Sequence, residues 1–265
     1  MMPKNLDLFL QESIGIIPPH HPHSVNKRLL EIMHKIYTDI KQRVDHSLAF
    51  GPCNSHFAEK IKGVIYSRKE LFFTHSPEAL KAIAAIRSKD KLSNDIREGS
   101  YIENEDLFKN IAFKGFLSAT GTCETYAVLG ALYLSQLYDV NITIENLHSD
   151  STHTYLRLHT CYHDYIFDFW SDACVRYGNW IDWNESVNYE YRYTKSTRFS
   201  LLAAPPKPEI LIEIAAEMHS SDMTAAREKH IHNIRSITWG TVDKENVIIY
   251  NQDVEKSACA QCAMN

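Results

Sequence analysis

Residues 116–172 read FLSATGTCETYAVLGALYLSQLYDVNITIENLHSDSTHTYLRLHTCYHDYIFDFWSD, and the fold class turns on this run. Gly121 and Thr122 interrupt the chain just before Cys123. Ala127, Val128, Ala131, Leu132 and Leu134 then cover most sides of a helix, so the spacing predicts a buried helix that starts at the cysteine. Further on, HTYLRLHTC alternates. Leu156 and Leu158 fall on one face and His153, Tyr155 and Arg157 on the other, which is the period of a strand. DYIFDFW reads as a second short strand, and the turn at His163-Asp164 predicts a hairpin that brings Asp168 alongside His153. A helix laid on an antiparallel sheet is an α+β arrangement.

Upstream, Leu29, Met33, Ile36, Ile40 and Val44 recur at three- and four-residue intervals, the stripe of an amphipathic helix over 24–47. After Gly51-Pro52, the residues Ile61, Val64, Ile65, Leu71 and Phe72 predict a second helix within 57–73. Pro77 opens a third, from Glu78 to Arg87, at the position where its missing N–H costs least. Residues 89–110 are polar and read as a surface connection with at most a short helix. Downstream, Tyr189, Tyr191 and Tyr193 alternate as on a strand. Pro205 to Pro208 break the chain before helices at about 209–219 and 224–234, and TVDKENVIIY predicts a closing strand or hairpin. Three parts follow: an N-terminal helical part over 1–110, a core with C-terminal helices over 111–250, and a flexible tail over 251–265.

The chain has 265 residues, 44% of them apolar and 23% charged, the composition of an ordinary globular protein. A net charge of −5 with scattered Lys and Arg gives no reason to expect nucleic acid. Asp7 and Gln11 interrupt the first apolar patch, so no signal peptide is expected, and YAVLGALYL is far short of a transmembrane segment. These readings predict a cytoplasmic protein. The six cysteines form no two matched pairs, which fits a reducing compartment. Cys53, Cys161 and Cys174 read as small half-buried apolar residues. His20, His21 and His23 bunch in IIPPHHPH, read as a turn or linker and not as a metal site. The terminal CAMN has the outline of a prenylation signal at Cys262, with Cys259 as a second lipid position. The terminal Asn265 and the absence of a basic stretch favour an unmodified end.

Cys, His and Asp in this order are the parts of a thiol nucleophile site. Cys123 in the first turn of a helix would face unpaired N–H groups and the positive end of the macrodipole, which favour thiolate. The same N–H groups could serve a tetrahedral oxyanion, with Thr122 or Thr120 as N-cap. His153 would take the thiol proton and Asp168 would hold the ring. This chemistry needs no metal and no organic cofactor.

Gly121, Cys123, Tyr126, Ala127, His153 and Asp168 resemble, position by position, the core of the transglutaminase-like superfamily within the wider papain-like group. The resemblance implies a papain-like or transglutaminase-like fold, with Cys123 as nucleophile, His153 as base and Asp168 as orienting acid. It further implies a glutamine deamidase, transglutaminase or cysteine protease acting on a protein substrate. Bacterial effectors delivered into a host cytosol are similar in having such a core wrapped by other helices. The chain lacks the upstream glutamine of papain-type enzymes and the tryptophan of eukaryotic transglutaminases, which leaves Asn110, Ser118 or Thr120 as stand-in donors. Asp182, behind Trp180 in NWIDW, is a second choice for the acid, and His148 a second choice for the base. An arylamine N-acetyltransferase is an alternative, although ATGTCETYA departs from RGGxCxExN. A catalytically inactive binding module of the same fold is another.

Overall fold

The structure, a computed structural model, describes residues 3–15, 22–52, 58–61, 64–68, 76, 78–79, 82, 105–148, 152–179, 198–203, 207–236, 239–242 and 247–250. Its elements run β1 (Lys4–Asn5), α1 (Leu6–Ile14), α2 (Pro22–Ser47), β2 (Gly51–Pro52), β3 (Ala58–Ile61), β4 (Val64–Arg68), α3 (Glu105–Ser118), β5 (Thr120–Gly121) and α4 (Cys123–Leu137). They continue as β6 (Tyr138–Asp139), β7 (Asn141–His148), β8 (Thr152–His159), β9 (Tyr165–Asp168), β10 (Ala173–Arg176), β11 (Arg198–Ala203), α5 (Pro208–Met218), α6 (Ser221–Ser236), β12 (Trp239–Val242) and β13 (Val247–Tyr250). The protein is α+β. No helix among the described residues is long and apolar enough to cross a membrane.

The chain divides into two compact units, one of residues 1–46, 102–109 and 123–216, the other of 47–101, 110–122 and 217–265. The first is built on an antiparallel sheet of order β10-β9-β8-β7-β11. Its register sets Ile142 against Leu158, Ile144 against Leu156 and Asn146 against Thr154 across β7 and β8, while β9 adds Phe167 beside Leu156 and Tyr165 beside Leu158. Residues opposite one another share a face, so this face is buried and, apart from Asn146 and Thr154, apolar. Helix α4 packs chiefly on β8. Residues 126–135 of α4 are buried without interruption, as its sequence predicts. The expected stripe of α2 is also found, with Leu29, Met33, Ile36, Ile40 and Val44 all in the core. Tyr37 of α2 reaches the sheet, edge-on to Phe167 and stacked on Phe169 at 5.0 Å.

The second unit holds an antiparallel sheet of order β12-β13-β4-β3 and the parallel bridge of β2 with β5. Two expectations fail here. Residues 58–61 and 64–68 are paired strands, not a helix, with Ile61 opposite Val64. The run Val64-Ile65-Tyr66 has the β-branched and aromatic character of a strand. Where at most a short helix was expected before residue 110, α3 instead starts at Glu105 and runs fourteen residues. Arg227 supports its end: the guanidinium donates to the carbonyls of Phe116 at 2.9 Å and Ser47 at 3.0 Å, the favourable place for a cation. The closing hairpin, β12 with β13, is as the sequence predicts. Cys161 is exposed and not a half-buried apolar residue, its amide donating to Asp7 Oδ1. Cys53, Tyr189, Tyr191, Tyr193 and the tail over 251–265 lie outside the described residues.

Candidate active site

The β8–β9 hairpin delivers what its sequence promises. His153 Nε2 and Asp168 Oδ2 are 2.7 Å apart, and both side chains are only 1% exposed. An ionised carboxylate only accepts, so Nε2 carries the hydrogen and Nδ1 becomes the basic nitrogen of the ring. Asp168 is itself held at three atoms. Its Oδ1 accepts the Ser171 N–H at 3.2 Å, and its backbone carbonyl lies 3.2 Å from the Tyr37 hydroxyl. That hydroxyl also lies 3.0 Å from Asp172 Oδ1, so its one hydrogen serves two acceptors. Burial first, and then the charges of Asp172 and Asp168, push the Tyr37 phenol far above its ordinary value, so it stays a donor.

The turn after Asp168 is shaped to keep this arrangement. Asp172 closes it at φ 60°, a left-handed conformation that Asp tolerates better than most residues. Trp170 brings its ring to 5.4 Å from the His153 ring. Phe169 fits against α4 only because position 130 has no side chain: a Cβ there would lie 2.2 Å from Phe169 Cε2. Gly130 and Cys123 are seven residues apart and therefore on one helix face, so the contact that seats the Asp168 turn also fixes the helix that carries the thiol.

Cys123 is the first residue of α4, as the sequence predicts. Its thiol donates to Glu124 Oε2 at 3.4 Å and neighbours Thr154, whose hydroxyl donates to Asn146 Oδ1 at 2.7 Å. Burial, followed by the charge of Glu124, raises the thiol well above its ordinary pKa, while Thr154 lowers it. The raising effects win. The helix start therefore does not by itself produce the thiolate that the sequence suggested, because an anion beside it and the loss of water both oppose ionisation. Among the described residues the partners of the sulfur are Glu124 and Thr154, and His153 is not one of them. His153 is nonetheless the next residue along β8. The strand that neighbours the sulfur through Thr154 is therefore the one that bears the imidazole.

The stand-in oxyanion donors are engaged elsewhere in their own unit. Ser118 Oγ donates within α3 and Thr120 Oγ1 donates to the Gly51 carbonyl at 2.7 Å, while Asn110 is exposed. His148 sits on β7 opposite Thr152, and Trp180 and Asp182 lie outside the described residues. Sequence reasoning missed Glu124, Thr154, Trp170 and Tyr37. The first three each lie within two residues of a residue that had been singled out. Tyr37 carried no such signal.

The face of the sheet that carries His153 also carries a polar network further along β8. Arg157 forks to Asp164 Oδ2 at 2.9 and 2.5 Å and to Glu145 Oε1 at 3.0 Å, with its guanidinium 3.6 Å over the Tyr177 ring. Glu145 also accepts from the Tyr155 hydroxyl at 2.6 Å, and His159 bridges Asp164 and Thr143. These bonds tie β7, β8 and the β8–β9 loop together, which holds the hairpin register that sets Asp168 beside His153. Comparison with protein-family models, with curated proteins and with solved structures finds no match to this chain.

Proposed function

We propose that this chain is a thiol-dependent amide- or acyl-transfer enzyme of papain-like or transglutaminase-like architecture, with Cys123 as nucleophile, His153 as base and Asp168 as orienting acid. The observation that carries the reading is the buried His153–Asp168 pair, on the strand whose next residue, Thr154, neighbours the sulfur. A shielded imidazole with one nitrogen held by a carboxylate is suited to accept a proton at the other and return it. The proposal requires the sulfur to leave Glu124 for Nδ1 by rotation about the Cys123 Cα–Cβ bond, between staggered wells. The S–H proton passes to Nδ1 and the sulfur adds to a carbonyl carbon. The oxyanion then meets the first-turn N–H groups of α4. Collapse expels the amine, which leaves with the proton from His153, and water or a second amine cleaves the thioester to restore the thiol. Deamidation, transglutamination and proteolysis differ only in the groups that enter and leave, and an enzyme that acts on a protein substrate, in its own cytoplasm or delivered into a host cytosol, is what the resemblance implies.

A second reading has its own support. The thiol bonded to Glu124 and held protonated is the arrangement of an inert cysteine, and the chain would then be a binding module. Iodoacetamide at pH 6, followed by peptide mass spectrometry, separates the two. The enzyme reading expects Cys123 to label ahead of the other five cysteines in the chain, and expects His153→Ala to remove that lead. Labelling of Cys123 no faster than exposed Cys161, with no response to His153→Ala, leaves the binding module.

A further inference from the structure

Strand register alone stops short of joining Asp168 to His153. The pairs of β8 with β9 run Leu156 with Phe167, Arg157 with Ile166 and Leu158 with Tyr165. Carried on in that order, they set Trp170, not Asp168, opposite His153, and the Trp170 ring lies 5.4 Å from the imidazole. Asp168 reaches His153 on the diagonal, from the last residue of β9, where the chain turns away. A small shift of that turn opens a 2.7 Å contact. The Ser171 N–H on Asp168 Oδ1 lies inside the turn and moves with it, so the turn needs an anchor from outside.

We infer that Tyr37 of α2 is that anchor, the positioning residue for the His153–Asp168 pair. Its part in a reaction rests on His153 being the base proposed above. Tyr37 lies against Phe167, whose side chain alternates with that of Asp168, so it approaches from the face opposite the carboxylate. From there its hydroxyl meets both ends of the turn, the Asp168 carbonyl at 3.2 Å and Asp172 Oδ1 at 3.0 Å. The ring is 5% exposed and stacked on Phe169, which fixes where the hydroxyl points. Lys41, one turn further along α2, stands 4.0 Å from the same Asp172 oxygen. A helix from outside the Cys, His and Asp segment thus grips the turn that carries the acid, without touching the reacting atoms.

Tyr37→Phe tests this on the intact chain, since it keeps the ring and removes the hydroxyl. The readout is the ring N–H proton of His153 in protein carrying isotope-labelled histidine, assigned by its loss in His153→Gln. Held by Asp168, this proton should exchange slowly with water, and Tyr37→Phe should speed the exchange about fivefold to tenfold, the weight of one hydrogen bond. Ile40→Val, in the buried stripe of the same helix, controls for stability: it should lower the urea midpoint and leave the exchange unchanged. Equal exchange in the wild type and Tyr37→Phe overturns the inference. So does an equal acceleration in Ile40→Val, or a wild-type ring N–H that exchanges freely. Iodoacetamide labelling of Cys123 keeps the two claims apart. Tyr37→Phe should slow it about fivefold, but not in an Asp168→Asn background, where no acid is left to position. An equal further slowing in that background overturns the inference, whereas faster exchange with unchanged labelling upholds Tyr37 as the anchor and sinks the catalytic reading.

Discussion

Replacing Asp168 separates support of the fold from control of the proton. In Asp168→Ala, His153 Nε2 loses its acceptor at 2.7 Å and the Ser171 N–H loses its acceptor at 3.2 Å. The first is a charge-assisted bond at a site closed to water, about 2 kcal/mol, and the second adds about 1, so the folded state should lose about 3 kcal/mol. Asp168→Asn fills the same volume and offers an oxygen to one donor and an N–H toward the imidazole. His153 can meet that N–H by changing tautomer, so the cost should be only about 1 kcal/mol. The price is paid at the other nitrogen: the tautomer change puts the hydrogen on Nδ1, which can no longer take a proton from the thiol. Under the proposed mechanism the Asn variant should lose activity by about 10⁴-fold, far beyond its stability defect. Urea unfolding, comparing midpoints at constant slope, reads the stability side, and release of ammonia or amine from an amide substrate reads the rate. If the Ala and Asn variants unfold at the same urea concentration, or Ala costs less than about 1 kcal/mol, the pair is not the fastening described.

Gly130→Ala should destabilise by about 1–2 kcal/mol although alanine is the better helix former, because overpacking against the immobile Phe169 ring outweighs a propensity gain of about 1 kcal/mol. The same urea titration checks it, and a gain in stability would show that the ring can move. Stability should also fall as pH rises above about 10, because an unfolded tyrosine ionises there. In the folded chain burial keeps Tyr37, Tyr155 and Tyr165 protonated, Tyr165 up to about 12. The unfolded state then binds fewer protons than the native one, so the slope is negative. Tyr37→Phe should flatten it, and a slope unchanged in that variant would contradict the assignment.

The hairpin and the helix behind Cys123 were legible because both rest on local periodicity: alternation in HTYLRLH, an apolar run in YAVLGALYL. The three candidate residues fell on the elements assigned to them for the same reason. Residues 58–68 were misread because five apolar residues at mixed spacing satisfy a helical template, while their pairing is decided by β13, nearly two hundred positions away. Start signals for α3 were hidden in a charged stretch that reads as loop. What the sequence concealed at the site was chemical and not topological. Nothing in Cys123-Glu124 says whether a neighbouring carboxylate turns outward or onto the sulfur, and nothing in Tyr37 connects it to a turn 131 residues later. Such facts belong to packing, which one-dimensional pattern does not encode.

Among the described residues the β8–β9 ladder runs only from Leu156 to Leu158, although β8 begins at Thr152. The strand therefore has a stretch where its neighbour has already turned away, and Thr154, which neighbours the sulfur, lies in that stretch, paired across to Asn146 of β7. The sulfur thus sits beside a gap in the ladder. Any change that zipped β9 two residues further would toughen the domain and silence the cysteine, so selection for robustness alone should erode this notch, and its persistence in a lineage would be a sign that the sulfur is used.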